Sequence, residues 1–569
     1  MKLCKKLLAA VIAAAMLCCC FAGVSAESSR AEVPEGYDFN VYMDFEAFTL
    51  GWGFIAEPFA VPANEGENVA QVTLRALETL GLECSYGGTA EEGFYLKGIE
   101  HAEGEPNVPA YLMEQMLAYP AWAEENMGYS FGEWTGAASG DGMLGEYDYS
   151  GFAGWMFAID DVSASVGADG VTVEDGAMYR WMFSVYGWGM DCGLNDGWGM
   201  FPAFDNPAEG VVRSEVMKQY VELAADSFIA PKYEEGGAAY EAKTAFIDTV
   251  GNIASSQEEI DAAFAALFDA SYDFDVYVDF EAFTLGWGFI LEPVAVPANE
   301  GENIAMVTVR ALDMAGIAYN HSGKVTGAFY LKGVGCDETL PNVPEELMDE
   351  ILAYPAWSEE LYDYSFGEWT GAYTDDGLLS EQEYSTFAGW MFAVNDALGD
   401  TGADGIAVAE GSIYRWMFSI YGWGMDIGMS DGWGMFPDYN NEALETARAE
   451  SLCGYAELAN DPELAAMMAE GGEAHEAYVA FMDAMCDLDT TQEELDAAYA
   501  ALLGALHKLM GDVDLNGEIT GNDALTLMRY ALSLITLTDE QLALADFNGD
   551  GAVNALDALL IMRSAMGLL

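Results

Sequence analysis

Positive charge is scarce in this chain. Its 569 residues include 19 Lys and Arg against 96 Asp and Glu, which gives a formal net charge of −77 at pH 7. A surface of this sign repels the phosphates of nucleic acids and of anionic membranes, so we expect neither as a partner. The chain is not expected to be disordered, because 52% of its residues are hydrophobic and 13% are aromatic.

Metalloprotease, P-loop and redox signatures are also missing. The sequence contains no His-Glu-x-x-His and no P-loop. Four of its nine cysteines lie in the first 20 residues, and the other five show no Cys-x-x-Cys spacing. Neither a disulfide framework nor a zinc site is therefore predicted. A glycosidase needs two carboxylates across a cleft, but among 96 acids a pair such as Glu133 and Asp191 does not stand out. We predict no catalytic residues, and a glycan hydrolase of unknown type stays as an alternative.

Long apolar runs are confined to the beginning of the chain. Residues 7–24 are apolar, follow a lysine-containing start and precede Ser25 and Ala26. This pattern is typical of a secretory signal peptide, residues 1–26, cut after Ala26. Because of the three cysteines at 18–20, a lipoprotein anchor stays as an alternative. We predict an extracellular protein that does not insert into a membrane after cleavage, because no later run reaches spanning length.

The middle of the chain is a tandem repeat with an offset of 235 residues. The sequence Phe-Gly-Glu-Trp-Thr-Gly at residues 131–136 returns at 366–371, and Tyr-Asp-Phe at 37–39 returns at 272–274. The period is too long for a solenoid. It predicts the duplication of a whole domain or of a domain pair.

The first part of each copy has the pattern of an α+β domain. Residues 41–45, 94–96, 154–159 and 179–184 have strand-like sequences. A helix is predicted after Asn68, and its apolar face comprises Val69, Val72, Ala76, Leu77 and Leu80. One helix among several strands predicts a small sheet wrapped on a helix.

These segments resemble the DUF4430 (transcobalamin C-terminal-like) family. The resemblance covers residues 37–202 and 272–437. It rests on Gly66-Glu67-Asn68, Phe94-Tyr95-Leu96, Gly154-Trp155 with Asp160, and Tyr179-Arg180-Trp181, with Asn395 replacing Asp160 in the second copy. It implies a β-grasp-like fold and no particular function, and it leaves corrinoid binding open.

The second part of each copy, residues 203–270 and 438–508, is predicted to be helical. Apolar residues recur at spacings of three and four over residues 257–267 and 492–502. These stretches resemble the FIVAR-type helical hairpins of surface glycan-handling proteins. Alternatively, each is an amphipathic helix packed on its own unit.

The repeat pairs all fourteen tryptophans. Trp155 and Trp181 lie in strand patterns and are predicted to be core residues. Other tryptophans lie among glycines near Asp or Asn. Flanking glycines leave an indole easily approached by a ligand, and a flat ring can cover a neutral sugar while nearby oxygens bind its hydroxyls. The glycan-binding candidates are Trp52, Trp134, Trp188, Asp191, Asp196 and Trp198, with Trp287, Trp369, Trp423, Asp426, Asp431 and Trp433 in the second copy. Alternatively, these aromatic residues fill an irregular core.

The last segment, residues 511–569, contains two calcium-type loops. Each places acid or amide side chains at positions 1, 3 and 5, glycine at 6 and a carboxylate at 12, the spacing with which oxygens surround a hard cation. The predicted ligands are Asp512, Asp514, Asn516, Glu518 and Asp523, then Asp546, Asn548, Asp550, Ala552 and Asp557, with Glu518 and Ala552 acting through their carbonyls. Helices are predicted after the loops, at residues 524–532 and 558–566.

Two such loop–helix units resemble a type I dockerin, an all-α module that shares the Asp at position 12. The resemblance implies two bound Ca²⁺ ions and docking into a cohesin domain of a scaffoldin. The positions that would contact cohesin are Gly521, Asn522, Met528, Arg529, Ala555, Leu556, Met562 and Arg563. A generic calcium-stabilised helical domain is the alternative.

The whole chain is therefore predicted to be α+β: two β-grasp-like, β-rich domains, each followed by a helical segment, then the dockerin. This layout is similar to that of the starch-adherence proteins of gut ruminococci. The similarity implies a secreted, non-catalytic polysaccharide-binding subunit of a cellulosome- or amylosome-like complex, with starch or another α-glucan as first expectation. A glycoside hydrolase, a corrinoid binder and a structural adhesin remain alternatives.

Overall fold

The computed structural model describes residues 31–566 except 32, 102–103, 131, 186–210, 235, 364, 366, 375, 421–445, 470, 508–510, 515–518, 539–540, 543 and 549–551. The predicted signal peptide lies outside the described residues. One unit of the chain is Val24–Asp273, and the other contains Phe274–Leu569. Within the described ranges, no helix is long and apolar enough to cross a membrane.

A five-stranded mixed sheet forms the centre of the first unit. Its strands are β1 (Phe39–Glu46), β2 (Phe54–Ala63), β6 (Ala153–Ile159), β7 (Val162–Ser163) and β8 (Met178–Val185). The strand order is β2-β1-β8-β6-β7, in which β1 and β8 run parallel and the other neighbours run antiparallel. The strands predicted at 41–45, 154–159 and 179–184 are confirmed as parts of β1, β6 and β8.

Helix α1 (Val69–Leu80) packs on one face of this sheet. Asn68 caps it in a capping box, and Gly81 ends it with a left-handed φ of 67°. The predicted face is confirmed for Val69, Val72, Ala76 and Leu77, which are buried. For Leu80 the prediction is wrong: it is 38% exposed, since it is the last helical residue before the turn at Gly81.

A smaller antiparallel sheet completes the α+β part. Its strands are β3 (Cys84–Gly87), β4 (Tyr95–Glu100) and β5 (Met143–Gly145), in that order. The strand predicted at 94–96 corresponds to the start of β4. Helix α2 (Ala110–Met127), which contains Pro120, lies between β4 and β5 in the sequence.

The two faces of strand β1 bury different chemistry. Val41, Met43 and Phe45 belong to the hydrophobic core that includes α1. The alternate residues Asp44 and Glu46 point to the opposite face and are also buried. The sheet is therefore covered on both faces, and one of the covered faces is polar.

The helical segment of the first unit packs on this polar face. It comprises α3 (Ser214–Ala225), α4 (Ala230–Glu234), α5 (Ala238–Val250) and α6 (Gln257–Ser271). The Tyr42 hydroxyl donates to Glu222 over 2.9 Å, and the Tyr220 hydroxyl donates to Glu57 over 2.8 Å. These helices are thus packed on their own unit, as in the second of the two sequence interpretations.

One buried arginine connects the sheet to that segment. The Arg180 guanidinium is fully buried and donates to both carboxylate oxygens of Glu46, over 2.7 and 3.1 Å. It also donates to Asp161 over 2.9 Å. The same Asp161 carboxylate accepts the backbone N–H groups of Arg213 and Ser214 at the start of α3. We refer to Glu46, Arg180 and Asp161 as the arginine network.

The second unit repeats this architecture. Its elements are β9 (Phe274–Glu281), β10 (Phe289–Ala298), α7 (Ile304–Met314), β11 (Tyr319–Lys324), β12 (Gly327–Gly335), α8 (Glu345–Tyr362), β13 (Leu378–Ser380), β14 (Ala388–Val394), β15 (Ala397–Leu398), β16 (Ile413–Ile420), α9 (Ala449–Asn460), α10 (Pro462–Ala469), α11 (Glu473–Cys486) and α12 (Gln492–His507). The strand orders are β10-β9-β16-β14-β15 and β11-β12-β13. Arg415 pairs with Glu281 and Asp396 as Arg180 does with Glu46 and Asp161.

The C-terminal region is helical. Helices α13 (Gly521–Ala531) and α14 (Ala555–Ala565) pack on a small core that includes Val513, Leu527 and Ile561. Each helix begins three residues earlier than predicted, because Thr520 and Asn554 act as N-caps.

The arginine network predicts a large, local loss of stability on substitution. Glu46→Gln leaves the fully buried Arg180 short of one negative charge, so the free energy of opening of β1 should fall by on the order of 3 kcal/mol. Hydrogen exchange of peptides spanning β1 and β8 measures this, with the matching peptides of β9 and β16 as internal control. Lys232→Ala, which removes a partly exposed ion pair with Asp273, should cost less than about 1 kcal/mol. Equal effects of the two substitutions would contradict the assignment.

Candidate functional site

The first C-terminal loop brings three carboxylates together. Oxygens of Asp512, Asp514 and Asp523 all lie within 4.8 Å of one another. Asp512 is 2% exposed and Asp523 is fully buried. Three converging carboxylate oxygens fit a hard cation such as Ca²⁺, which would neutralise their mutual repulsion and close the loop.

Asp523 has two structural tasks in addition. One of its oxygens accepts the N–H and hydroxyl of Thr520, over 2.7 and 3.1 Å, and thereby completes the capping box of α13. Its other oxygen accepts the N–H of Asp514 over 3.0 Å. The carboxylate at loop position 12 therefore holds the start of the helix and the start of the loop in one place.

The second loop repeats part of this arrangement. Asp557 is fully buried, accepts the N–H of Asn554 over 2.9 Å and receives the N–H of Asn548 over 3.4 Å. Asp546 and Ala552 are the remaining described ligand candidates of this loop. Asn516, Glu518 and Asp550 lie outside the described residues.

Most residues predicted to contact cohesin lie on the surface. Exposed are Gly521, Asn522, Met528, Arg529, Ala555, Leu556 and Arg563. Met562 is only partly exposed, because it packs against the small core of this region. Further apolar side chains are exposed on the two helices, Leu525 by 46% and Leu559 by 54%, and Leu532, just after α13, is exposed by 62%. The sequence interpretation did not single out these three leucines.

A second candidate site lies in the connections of the first α+β part. Trp134, after α2, stacks on Tyr149 with ring centroids 5.9 Å apart, and Trp52, between β1 and β2, meets the same Tyr149 edge-on at 5.9 Å. Both tryptophans are half-buried, whereas Tyr149 is 2% exposed. We refer to Trp52, Trp134 and Tyr149 as the first aromatic cluster. Its two tryptophans were predicted, and Tyr149 was missed.

His101 adds a ring to this cluster. Its imidazole lies 5.0 Å from the Trp52 ring, at an angle of 34°. Burial lowers the pKa of His101, so its uncharged form is favoured beside the indole.

The second aromatic cluster consists of Trp287, Trp369 and Tyr384 in the same geometry. Trp369 stacks on Tyr384 at 5.9 Å, and Trp287 meets Tyr384 edge-on at 5.9 Å. Here a further ring, Tyr373, stacks on Tyr384 at 5.9 Å. Beside it lies a cavity of about 150 Å³, whose lining includes Tyr373, Tyr384, Thr339 and Thr374.

Both central tyrosines have a left-handed backbone. The φ angles are 65° for Tyr149 and 63° for Tyr384, a conformation that costs a bulky side chain of order 1–3 kcal/mol. The backbone of Tyr384 is held there by bonds from Thr370 and to Ala372. Backbone strain of this kind concentrates at functional sites. The signal in the sequence was the repeat itself, since Tyr149-Ser150 returns as Tyr384-Ser385.

The glycine before Trp52 is required by close packing. Gly51 has a φ of 68°, and a Cβ there would lie 2.1 Å from the carbonyl oxygen of Asn107. Gly286 stands in the same relation to Asn342. The sequence interpretation took these glycines as leaving the indole open to a ligand. In the structure Gly51 and Gly286 instead allow a tight turn that holds the indole against the cluster.

The remaining glycan-binding candidates lie outside the described residues. They are Trp188, Asp191, Asp196, Trp198, Trp423, Asp426, Asp431 and Trp433. The core assignment is confirmed for Trp155 and Trp181, which are 5% and 3% exposed.

Comparison with known proteins bears on the C-terminal region. Residues 510–564 match the type I dockerin domain family. No curated protein and no solved structure matches the chain. The predicted dockerin is thereby confirmed, and such a domain implies calcium binding and cohesin-mediated docking into a cellulosome-like complex. Proteins with this domain are typically secreted and attached to the cell surface through cohesin.

The double role of Asp523 can be separated by two substitutions. Asp523→Asn retains an oxygen for Thr520 but loses a ligand charge, so calorimetric Ca²⁺ titration of the full chain should show the affinity of one site reduced on the order of tenfold. Asp523→Ala should also lose the helix cap, about 1 kcal/mol, which circular dichroism in chelator would detect as lower helicity. Asn522→Ala, at an exposed neighbouring position, serves as control. Unchanged Ca²⁺ affinity in both Asp523 variants would refute the site.

Proposed function

We propose that the chain is a secreted, non-catalytic subunit that binds a polysaccharide, with an α-glucan as the first candidate ligand. Its dockerin, which holds two Ca²⁺ ions, docks the chain into a cohesin. The observation that carries the binding part of this proposal is the aromatic cluster, present in the same geometry in both copies. The docking part rests on the dockerin domain at residues 510–564.

The clusters have the properties that a neutral sugar requires. Trp134 and Trp369 each have one face covered by a buried tyrosine and are still half-exposed. An indole fixed in this way loses little side-chain freedom when a sugar ring stacks on it. Threonine hydroxyls and main-chain groups near Tyr384 offer hydrogen-bonding partners. The strained tyrosine that organises each cluster supports a role beyond packing.

The nearby carboxylates favour binding over hydrolysis. Asp148 accepts the N–H groups of Ser139 and Gly145 over 2.6 and 2.7 Å. Glu383, its counterpart, accepts the N–H groups of Thr374 and Ser380. Both carboxylates hold turns closed, so neither serves well as the acid or nucleophile of a glycosidase.

The proposal extends to the fold of each copy. A hairpin, a helix and a parallel pairing of the first and last strands support a β-grasp-like domain of the DUF4430 type at residues 37–202 and 272–437. Two binding domains on one chain raise avidity for a polymer, because the second contact is intramolecular. Export would depend on the predicted signal peptide, residues 1–26.

Affinity electrophoresis of the full chain in gels containing soluble starch, dextran or xylan tests the binding function. The wild type should be retarded by at least one neutral polysaccharide. The double variant Trp134→Ala/Trp369→Ala should lose most of this retardation, because it removes a stacking ring from both clusters. Tyr240→Ala, which removes an exposed aromatic side chain on α5, should migrate like the wild type.

Absence of retardation by every polysaccharide would overturn the proposed function. Release of reducing sugars from the same polysaccharides would instead favour the glycoside hydrolase alternative.

A further inference from the structure

The two aromatic clusters differ at the positions that a ligand would meet. Tyr373 of the second copy corresponds, at the offset of 235, to Ala138 of the first, and Leu340 corresponds to Glu105. Tyr373 is 41% exposed and Leu340 is 78% exposed. The second copy thus presents apolar surface where the first presents a small or a charged side chain.

The first copy uses its extra ring differently. His101 lies against Trp52, and its counterpart in the second copy is Cys336. In the first copy the additional ring therefore covers a candidate tryptophan. In the second copy the additional ring, Tyr373, stands at the rim of a cavity.

The cavity of the second copy has the size of a small ligand. Its volume of about 150 Å³ corresponds to about five water molecules, and is below the roughly 300–1,000 Å³ of drug-sized ligand pockets. One sugar unit is therefore a better match than an enclosed oligosaccharide, and the rest of a chain would extend into solvent.

The charge of the lining selects among sugars. Asp337, Glu338 and Glu383 are among the residues that line the cavity, and its described lining contains no Lys or Arg. A uronic acid or a sulfated sugar would meet repulsion there, whereas an uncharged hydroxyl can donate to a carboxylate.

We propose that the cavity beside Tyr373 is a subsite for one uncharged sugar unit, with Tyr373 as its stacking platform, and that the second copy is consequently the tighter of the two binding units. This inference rests on the proposed glycan-binding function and adds the sugar class, the subsite and the inequality of the copies.

The test compares variants of the full chain by calorimetric titration. The ligands are maltohexaose, neutral oligosaccharides derived from the other polysaccharides that retard the chain in the gel, and oligogalacturonate. Tyr373→Ala, which installs the residue of the first copy, should weaken neutral-sugar binding on the order of fivefold. Tyr373→Phe keeps the ring and should bind within about twofold of the wild type. Trp134→Ala, in the first cluster, should weaken binding less than Trp369→Ala does in the second. Circular dichroism melting of each variant verifies that it is folded.

The outcomes separate the two proposals. A wild type that binds none of the neutral sugars overturns the proposed function together with this inference. A wild type that binds a neutral sugar, with Tyr373→Ala equally tight, overturns the subsite alone. Binding of oligogalacturonate at least as tight as that of the neutral sugars overturns the assigned sugar class.

Discussion

Burial of a guanidinium between two layers is the constraint on which each unit depends. Arg180 reaches Glu46 on the neighbouring parallel strand and Asp161 in the turn after β6, and Asp161 in turn holds the start of α3. A buried cation tolerates no loss of its partners, so strand pairing, turn and helical segment must form together. Arg415 imposes the same condition on the second unit. Since both faces of the sheet are thereby covered, the connections between elements are left to carry function.

The proposed glycan binding and the docking to cohesin depend on those connections in different ways. In the α+β parts, three separate connections place two tryptophans around a buried tyrosine, and the tyrosine has an unfavourable backbone that its neighbours maintain. In the dockerin, one carboxylate caps a helix and closes a loop, so the metal site and the apolar helix surface are positioned together. The proposed function, in which the aromatic clusters bind a neutral glycan and the dockerin binds a cohesin, requires no catalytic residue.

Sequence patterns predicted the individual helices and strands better than the long-range contacts between them. The strand periodicity around residues 41–45 and 179–184 and the cap at Asn68 are local signals, and all three were correct. Leu80 was misassigned because the helical period places it on the buried face, whereas it is the last residue of the helix, beside Gly81, and is exposed. Tyr149 was missed because its role arises from two tryptophans about 97 and 15 residues away in the chain, a long-range relation that no local pattern contains. The dockerin was predictable because the ligands of each calcium site lie within one short loop.

The central claim, that the chain links a neutral glycan to a cohesin, is tested most directly by sedimentation. Labelled cohesin is mixed with the full chain and an insoluble neutral polysaccharide such as granular starch, with Ca²⁺ or with a chelator. The account predicts that cohesin sediments with the glycan only when both the chain and Ca²⁺ are present, while the chain itself sediments with the glycan even in chelator. The account would be contradicted if cohesin bound the chain but the complex stayed in the supernatant with every neutral polysaccharide.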